Sequence, residues 1–274
     1  MTLQDSAAVR AQYATEESLH TRLSVWHPAL DGRDPSTLAL DAAVGAVAGR
    51  ETPHLLDVGC GTGGFAARLS LALPRATVSA IDQSERFVRL TRERGIDARV
   101  GDAQALPFDD GSLDVVTAMW MLYHVPDLDL ALAEARRVLR PGGLFVAVTN
   151  GDQHTADLRR EAGGAPLVTQ FSSENGEEAL RRHFSDVRRE DVATRALFPD
   201  HAAAQAYLDT LAWVPSEELA AGDAGDAAAM APAASPDLSV VVPPPGERRT
   251  TDLLLPAFDG PREYAGHVTV FTCH

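Results

Sequence analysis

The feature that most constrains the fold is the stretch LLDVGCGTGGF at residues 55–65, in which four glycines fall within six positions directly after an apolar run. A short apolar run bounded by glycine is typical of a buried strand. Helical spacing of apolar residues follows, at Phe65, Ala66, Leu69 and Leu73. The glycines therefore mark a turn from a strand into a helix, where glycine permits a positive φ and lets a ligand approach the backbone closely.

Strands and helices are predicted to alternate through the first half of the chain. The predicted strands are residues 55–58, 77–81, 98–100, 113–119 and 144–149. The predicted helices are residues 38–47, 63–73, 84–94 and 128–139, and a turn is predicted at 141–143. This alternation predicts a parallel sheet with helices on both of its faces.

The pattern loosens after Asn150. Helices are predicted at 176–184 and 202–211, and strands at 187–197 and 264–273, while residues 6–24 predict one or two amphipathic helices at the N-terminus. Residues 215–246 are rich in Ala, Pro, Asp and Gly and have no period, which predicts a flexible loop. We expect the last strand to return to the sheet of the first half, which gives one domain with an embedded cap.

The composition narrows the classes of molecule that the protein is expected to bind. The net charge of −15 disfavours nucleic acid and anionic membrane surfaces, so a small organic molecule is expected, with a slight preference for a neutral or cationic one. Two cysteines, Cys60 and Cys273, offer no disulfide framework. The N-terminus lacks an apolar signal core and no run is long enough to span a membrane, so a cytoplasmic protein is expected. The nine histidines show no HxH or HxxxH pair, so no metal is expected.

The glycine turn alone fits two kinds of nucleotide site. Gly59, Gly61 and Gly64 satisfy the GxGxxG pattern of dinucleotide-binding proteins. Asp82 ends the next predicted strand, where a carboxylate can accept hydrogen bonds from ribose hydroxyls in a nicotinamide enzyme or in an adenosyl enzyme. Asp57 lies inside the first strand and would face a pyrophosphate unfavourably, but it can orient the loop or hold a cationic amino group.

A further acid follows the next short strand. Asp102 can accept a hydrogen bond from an adenine amino group, and the backbone amide of Ala103 can donate to a ring nitrogen. Together with Asp57, these residues favour an adenosyl ligand over a dinucleotide.

Five motifs occur in order: LLDVGCGTGGF, AIDQS, GDAQALPFDDGSLDVV, MLYHVPD and LRPGGLFVAV. Together they resemble the successive motifs of class I S-adenosylmethionine-dependent methyltransferases, and most closely the small-molecule branch that includes the ubiquinone and menaquinone enzymes (methyltransferase type 11). The resemblance covers residues 55–149. It implies a Rossmann-like α/β fold, with a seven-stranded and mostly parallel sheet, helices on both faces and a helical lid or cap. In this family the last strand is antiparallel and is inserted between the fifth and sixth strands.

The resemblance also implies an arrangement along the chain. Residues 1–274 are expected to form a single methyltransferase domain. The cofactor-binding core is expected at about 40–195 and is completed by the final strand at 264–273. An N-terminal helical lid is expected at 1–35, and a cap with the flexible insert at about 196–262.

The turn is then expected to cradle the methionine part of S-adenosylmethionine. The expected cofactor-binding residues are Tyr13, Asp57, Gly59, Cys60, Gly61, Gly63, Asp82, Gln83, Asp102, Ala103, Met119 and His124. Simpler alternatives stay open for several of them. Tyr13 can pack rather than meet the cofactor carboxylate, Met119 can belong to the core, and Asp82 can cap the following helix.

His124 follows the fourth strand, in the loop that faces the transferred methyl group in the family. It is the candidate catalytic residue, as a general base, although a histidine here can also serve only to shape the loop. Aromatic side chains and one histidine are candidates for the acceptor pocket, with packing as the alternative: Trp26, His27, Trp120, Tyr123, Phe198 and Trp213.

The expected function is an enzyme that transfers a methyl group from S-adenosylmethionine to a small-molecule acceptor, such as a specialised metabolite, and releases S-adenosylhomocysteine. Two alternatives remain. The first is a protein that binds the cofactor without transferring its methyl group and acts as a regulator or partner subunit. The second is an NAD-dependent dehydrogenase that uses the same glycine turn.

Overall fold

A computed structural model of the protein describes residues 21, 22, 24–211 and 253–274. Tyr13, Trp213, the predicted loop at 215–246 and nearly all of the helices predicted at 6–24 lie outside the described residues. The expected division of the chain into lid, core and cap therefore stays a prediction.

The described strands form two sheets. They are β1 (Trp26–His27), β2 (His54–Val58), β3 (Thr77–Asp82), β4 (Asp97–Val100), β5 (Leu113–Met119), β6 (Leu139–Asn150), β7 (Val187–Val192), β8 (Arg195–Phe198), β9 (Arg262–Ala265) and β10 (Val268–Cys273). The main sheet has seven strands in the order β4-β3-β2-β5-β6-β10-β7. Its pairings are parallel from β4 to β6, and β10 is antiparallel to both β6 and β7. The predicted sheet, with its antiparallel last strand inserted beside β6, is confirmed.

Helices cover both faces of the main sheet. The described α-helices include α1 (Pro35–Ala46), α2 (Gly64–Ala72), α3 (Glu85–Glu93), α4 (Leu128–Val138), α5 (Ala156–Glu161), α6 (Gly176–Arg181) and α7 (His201–Asp209). Successive residues of a strand point to opposite faces, so Leu55 belongs to the apolar cluster beneath α1, α2 and α3, and Leu56 to the cluster beneath α4 and α6. Because these strands are buried on both faces, their sequences are unbroken apolar runs.

Local sequence sets where several helices begin. The Ser84 hydroxyl accepts a hydrogen bond from the Phe87 backbone nitrogen at 3.4 Å, as predicted for the start of α3. The Asp127 carboxylate accepts from the Leu130 nitrogen at 3.0 Å and caps α4 in the same way. Both caps follow loops at the carboxyl edge of the main sheet, so they fix where those loops end.

A second sheet, which the sequence did not predict, packs with α5 and α7 around a separate apolar cluster, and these five elements, β1, β8, β9, α5 and α7, are called the cap below. This sheet has three antiparallel strands in the order β1-β8-β9. The strand predicted at 187–197 is in fact β7 and β8, and the strand predicted at 264–273 is β9 and β10. The first segment therefore runs from the main sheet into the cap, and the second runs from the cap into the main sheet.

The two segments change sheets at the same place. The Gly266 backbone nitrogen donates to the Thr194 carbonyl oxygen at 2.8 Å. A Cβ on Gly266 would lie 2.4 Å from the Thr194 hydroxyl oxygen and 2.5 Å from the Trp26 ring. Glycine is therefore required where the two chains and the Trp26 ring meet.

Two further differences concern the segment around β6. The turn predicted at 141–143 lies within β6 as an irregularity, with Gly142 at a φ of +73° and a register shift between Leu113 and Val115 on the neighbouring strand. Helix α5 was not predicted. It packs in the cap cluster through Leu158. Within the described ranges, no helix is both long and apolar enough to cross a membrane.

Candidate functional site

A cavity of about 610 Å³ opens between the carboxyl edge of the main sheet and the cap. One wall consists of the loops after β2, β3, β4 and β5, and the other of residues from β1, α5 and α7. Ligands of open α/β sheets bind at this edge, because helix starts and loop backbone groups converge there. The volume lies within the range of small-molecule sites, roughly 300–1,000 Å³.

The glycine turn after β2 forms the floor of the cavity. Gly59 and Gly61 have φ values of +66° and +53°, in the left-handed region. A Cβ on Gly59 would lie 2.8 Å from the Met121 Cβ, whereas a Cβ on Gly61 would meet nothing within 4 Å. Gly59 is thus needed for packing, and Gly61 presents open backbone to the cavity.

The Gly61 residue is held from both sides. Its backbone nitrogen donates to Asp82 Oδ2 at 2.9 Å, and its carbonyl oxygen accepts from the Thr91 hydroxyl at 3.1 Å. Asp82 Oδ1 accepts from the Ser84 nitrogen at 2.9 Å. Burial raises the pKa of Asp82. Each carboxylate oxygen keeps a second lone pair that can accept a ligand hydroxyl.

Gly63, the third glycine predicted to bind the cofactor, is not among the residues that line the cavity, whereas Gly64 is. A Cβ on Gly63 would lie 2.7 Å from the Thr91 hydroxyl oxygen, and its φ is +78°. The structure therefore explains Gly63 by its packing against α3, not by an approach to the cavity.

Asp57 lies beneath the turn, where it is buried and borders the cavity. Its Oδ1 accepts from the Thr117 hydroxyl at 2.8 Å. Burial raises the pKa of the Asp57 carboxyl to about 7, and the charge of Asp82 adds to the rise. A cationic group in the cavity would stabilise the ionised form, since opposite charges lower the pKa of an acid.

The residues after β3 and β4 extend the same wall. Gln83, Asp102 and Ala103 all line the cavity, and the exposed Asp102 accepts from the Gln104 backbone nitrogen at 2.9 Å. Each of β2, β3 and β4 thus contributes one acid, at successive positions along one edge: Asp57, Asp82 and Asp102.

Cys60 and Met119 also line the cavity. The Cys60 sulfur lies 3.5 Å from the Thr91 hydroxyl oxygen, and burial raises the pKa of its thiol. Because the thiolate is the nucleophilic form of cysteine, Cys60 is a wall residue rather than a nucleophile.

The loop after β5 is strained where it enters the cavity. Trp120 has a φ of +53°, which costs about 1–3 kcal/mol for a residue with a side chain. Two hydrogen bonds hold it there: its indole nitrogen donates to Asn150 Oδ1 at 2.9 Å and its backbone nitrogen to the Val148 carbonyl at 2.8 Å. Tyr123 and His124 follow in a 3₁₀ turn, half-buried, with ring centroids 4.5 Å apart.

The structure brings four of the predicted acceptor-pocket residues to the cavity: Trp26, His27, Trp120 and Tyr123. Phe198 does not line it, because its side chain is buried in the cap cluster. Trp26 stacks on His154, with ring centroids 4.2 Å apart and an interplanar angle of 32°.

The sequence did not point to the polar residues of the cap wall, which are Arg22, His154, Thr155, Arg159 and Tyr207. Burial lowers the pKa of His154 to about 4, so its ring is neutral at pH 7, and burial raises the pKa of Tyr207. Three of the five lie in or next to the unpredicted helix α5. In the sequence, these three residues are distinguished only by their position shortly after β6.

Among the described residues, no three His, Cys, Asp or Glu side chains are grouped so as to hold a metal ion.

Known proteins are similar to the part of the chain that forms the site. Residues 56–147 match the family model described as a methyltransferase domain. The chain is 34% identical over 168 residues to a malonyl-[acyl-carrier protein] O-methyltransferase of Methylococcus capsulatus, a match over 58% of this chain and 61% of the relative. It is 41% identical over 105 residues to a demethylmenaquinone methyltransferase of Staphylococcus aureus, over 36% of this chain and 44% of the relative. The chain thus spans less than two thirds of the length of either relative.

The YcgJ protein from Bacillus subtilis has a similar fold, with a TM-score of 0.52 at 17% identity over 86% of this chain and 97% of that one. The family match begins in β2, includes the glycine turn and ends in β6. Residues 56–147 are thus similar to a methyltransferase domain, and the antiparallel β10 inserted beside β6 gives the main sheet the topology expected for the class I methyltransferase fold.

Proposed function

We propose that the protein binds S-adenosylmethionine in the cavity and transfers its methyl group to a small-molecule acceptor, leaving S-adenosylhomocysteine. The observation that carries this proposal is the open backbone at Gly61, which both Asp82 and Thr91 hold in place. It lies within the part of the chain that matches the methyltransferase family.

The residues of the sheet wall fit the parts of this cofactor in order. The buried Asp57 suits the amino group, and the space over Gly61 suits the methionine chain. Asp82 has lone pairs for the ribose hydroxyls. Asp102 and the Ala103 amide suit the adenine ring, and Gln83, Cys60, Met119 and His124 complete the walls. The proposed role of Tyr13, which lies outside the described residues, rests on the family resemblance alone.

A nicotinamide dinucleotide is less well supported. Its pyrophosphate would sit at the turn, next to the buried acid Asp57 and close to Asp82. Like charges in a cavity of low dielectric repel strongly. In addition, both curated relatives described above are methyltransferases by name.

The sulfonium of the bound cofactor supplies an electrophilic methyl group with a good leaving group. The chain then has to hold the acceptor in line with that methyl group and to keep water out. Trp120 and Tyr123 at the end of β5, and Trp26 on the cap, provide rigid apolar surfaces for this purpose. Such positioning contributes roughly 7–11 kcal/mol in well-oriented intramolecular reactions.

A base is needed only when the acceptor loses a proton during transfer, as a phenol or a carbon acid does. His124 lines the cavity next to Tyr123 and is our candidate base. His154 also lines the cavity, but its low pKa makes it a poor proton acceptor near pH 7.

The second candidate function is a protein that binds the cofactor without transferring its methyl group. The cap wall favours transfer, because Trp26 and Tyr207 border the cavity on the side opposite the glycine turn and provide an acceptor surface. A methyl donor labelled in the methyl group, incubated with the protein and a metabolite extract, separates the two functions. Label in a small molecule supports transfer. S-adenosylhomocysteine binding without any transfer of label would support the binding-only protein.

Replacing Gly61 with valine should remove cofactor binding while the fold remains. The valine side chain would occupy the open space over the turn. We expect the affinity for S-adenosylhomocysteine, measured by isothermal titration, to fall at least about a hundredfold, or about 2.8 kcal/mol. Gly95→Val is the matched control, because Gly95 also has a positive φ and an open Cβ position but does not line the cavity. Equal losses in the two variants would contradict the assignment of the turn.

Cofactor affinity should rise with pH through neutrality. Below pH 7 Asp57 is protonated, and it has to lose this proton before it can pair with an amino group. Affinity for S-adenosylhomocysteine should therefore increase between about pH 6 and 8, by at most about tenfold per pH unit. The same raised pKa means that protonated Asp57 stabilises the unliganded fold at low pH, a contribution that is lost as the pH rises through 7. Asp57→Asn should lack this pH dependence of binding, and a slope that persists in the variant would exclude Asp57 as its source.

For an acceptor that loses a proton, His124→Ala should lower kcat by about 10²–10⁴-fold, the usual contribution of a positioned base. The wild-type rate should fall at acidic pH, and the variant should lack that limb, with cofactor affinity unchanged. His183→Ala is the control, since His183 pairs with Asp129 away from the cavity. Weakened S-adenosylhomocysteine binding with an unaltered pH–rate profile would mean that His124 only shapes the loop.

A further inference from the structure

Arg159 is a buried cation in the cap wall of the cavity. Its side chain is in helix α5, and the residue is 5% exposed. The guanidinium Nε donates to the Ala165 carbonyl oxygen at 2.7 Å, which accounts for one end of the group. Nη1 is buried and has no hydrogen-bond partner among the described residues.

Among the described residues, Arg159 forms no ion pair with a carboxylate. Burial lowers the pKa of its guanidinium. A buried guanidinium without an anionic partner is costly, and such groups are normally paired. Because Arg159 borders a cavity, a ligand can supply the missing partner.

The neighbours of Arg159 give the site its shape. Burial raises the pKa of the Tyr207 hydroxyl, and the Thr155 hydroxyl and the positive charges of Arg22 and Arg159 oppose that rise. Arg22, Arg159 and Tyr207 all line the cavity. Arg22 donates from Nε to the Thr210 hydroxyl at 3.0 Å. Tyr207 in turn lies edge-on to Trp26, with ring centroids 6.2 Å apart. A positive, hydrogen-bonding patch therefore adjoins aromatic walls.

We infer that Arg159 binds an anionic group of the methyl acceptor, a carboxylate or a comparable planar oxyanion. This inference rests on the proposed methyltransferase function and specifies its acceptor class. The planar guanidinium matches a carboxylate, and an ionised acceptor gives a stronger hydrogen bond than a neutral one. The anionic end of the acceptor lies on the cap side, and its flat body lies against Trp26 and Tyr207.

This acceptor class differs from the one that the net charge of −15 favours. Within the cavity, the acids Asp57, Asp82 and Asp102 lie on the sheet wall, whereas Arg159 is desolvated on the opposite cap wall. A charge at short range in a low dielectric outweighs the exposed charges that water and salt screen. An acceptor on the cap wall therefore meets the Arg159 cation first, while the acids of the sheet wall face the proposed cofactor.

Benzoate and benzamide are suitable probes, because they have the same size and ring and differ in charge. The full chain is first titrated with S-adenosylhomocysteine, and the saturated complex is then titrated with each probe. We expect benzoate to bind at least about tenfold more tightly than benzamide, a difference of about 1.4 kcal/mol. Arg159→Gln should abolish this preference. Arg160→Gln should keep it, because the neighbouring Arg160 is exposed and pairs with Asp157.

Benzoate binding no tighter than benzamide in the wild-type protein would overturn the inference, and so would a preference that survives in Arg159→Gln. If Arg159→Gln fails to fold, Arg159→Lys keeps a cation but loses the planar fork, and its preference for benzoate should fall. An unchanged preference in Arg159→Lys would overturn the inference in that case. Failure to bind S-adenosylhomocysteine in the first titration would instead refute the proposed function itself.

Discussion

The hydrogen bond from the Gly61 backbone nitrogen to the Asp82 carboxylate is the contact on which the rest of the site depends. It joins the turn after β2 to the end of β3. On the other side of Gly61, the hydroxyl of Thr91, a residue of helix α3, donates to the Gly61 carbonyl oxygen. A glycine turn held in this way keeps its backbone open to the cavity even without a ligand. The backbone of the turn therefore needs little further ordering when a ligand binds. Preorganisation of this kind raises affinity by lowering the entropic cost of binding.

The cavity has two walls of different origin, and they suit different ligands. The sheet wall carries the acids of three neighbouring strands, whereas the cap wall carries Arg22, Arg159 and aromatic rings. The cap is joined to the main sheet where two segments of the chain cross between the sheets at Thr194 and Gly266. A change at this crossing would move the cap wall relative to the sheet wall. In the proposed function, this separation lets acceptor preference vary in the cap while the sheet edge keeps one cofactor.

The sequence predicted the main sheet well, because strands buried on both faces produce apolar runs with clear ends. Leu113–Met119 was predicted to the residue, and Ser84 was recognised as a helix cap. A cap was predicted at about 196–262, but its three-stranded sheet was not, because β8 and β9 are four-residue strands separated from the adjacent strands by two residues and have no separate signal. Arg159 stands in a charged stretch typical of a surface, and only tertiary packing buries it. Gly63 shows the same limit, since a sequence pattern does not distinguish a glycine that faces a ligand from one that faces a helix.

The most direct test of a preformed adenosyl site is a pair of titrations of the purified chain, one with S-adenosylhomocysteine and one with NADH, repeated for Asp82→Ala. Asp97→Ala is the control, because Asp97 is exposed at the opposite end of the neighbouring strand β4. S-adenosylhomocysteine should bind and NADH should not, and Asp82→Ala should weaken binding by about 1–3 kcal/mol while the control leaves it unchanged. Binding of NADH in place of S-adenosylhomocysteine, or equal S-adenosylhomocysteine affinity in the wild type and Asp82→Ala, would contradict the account.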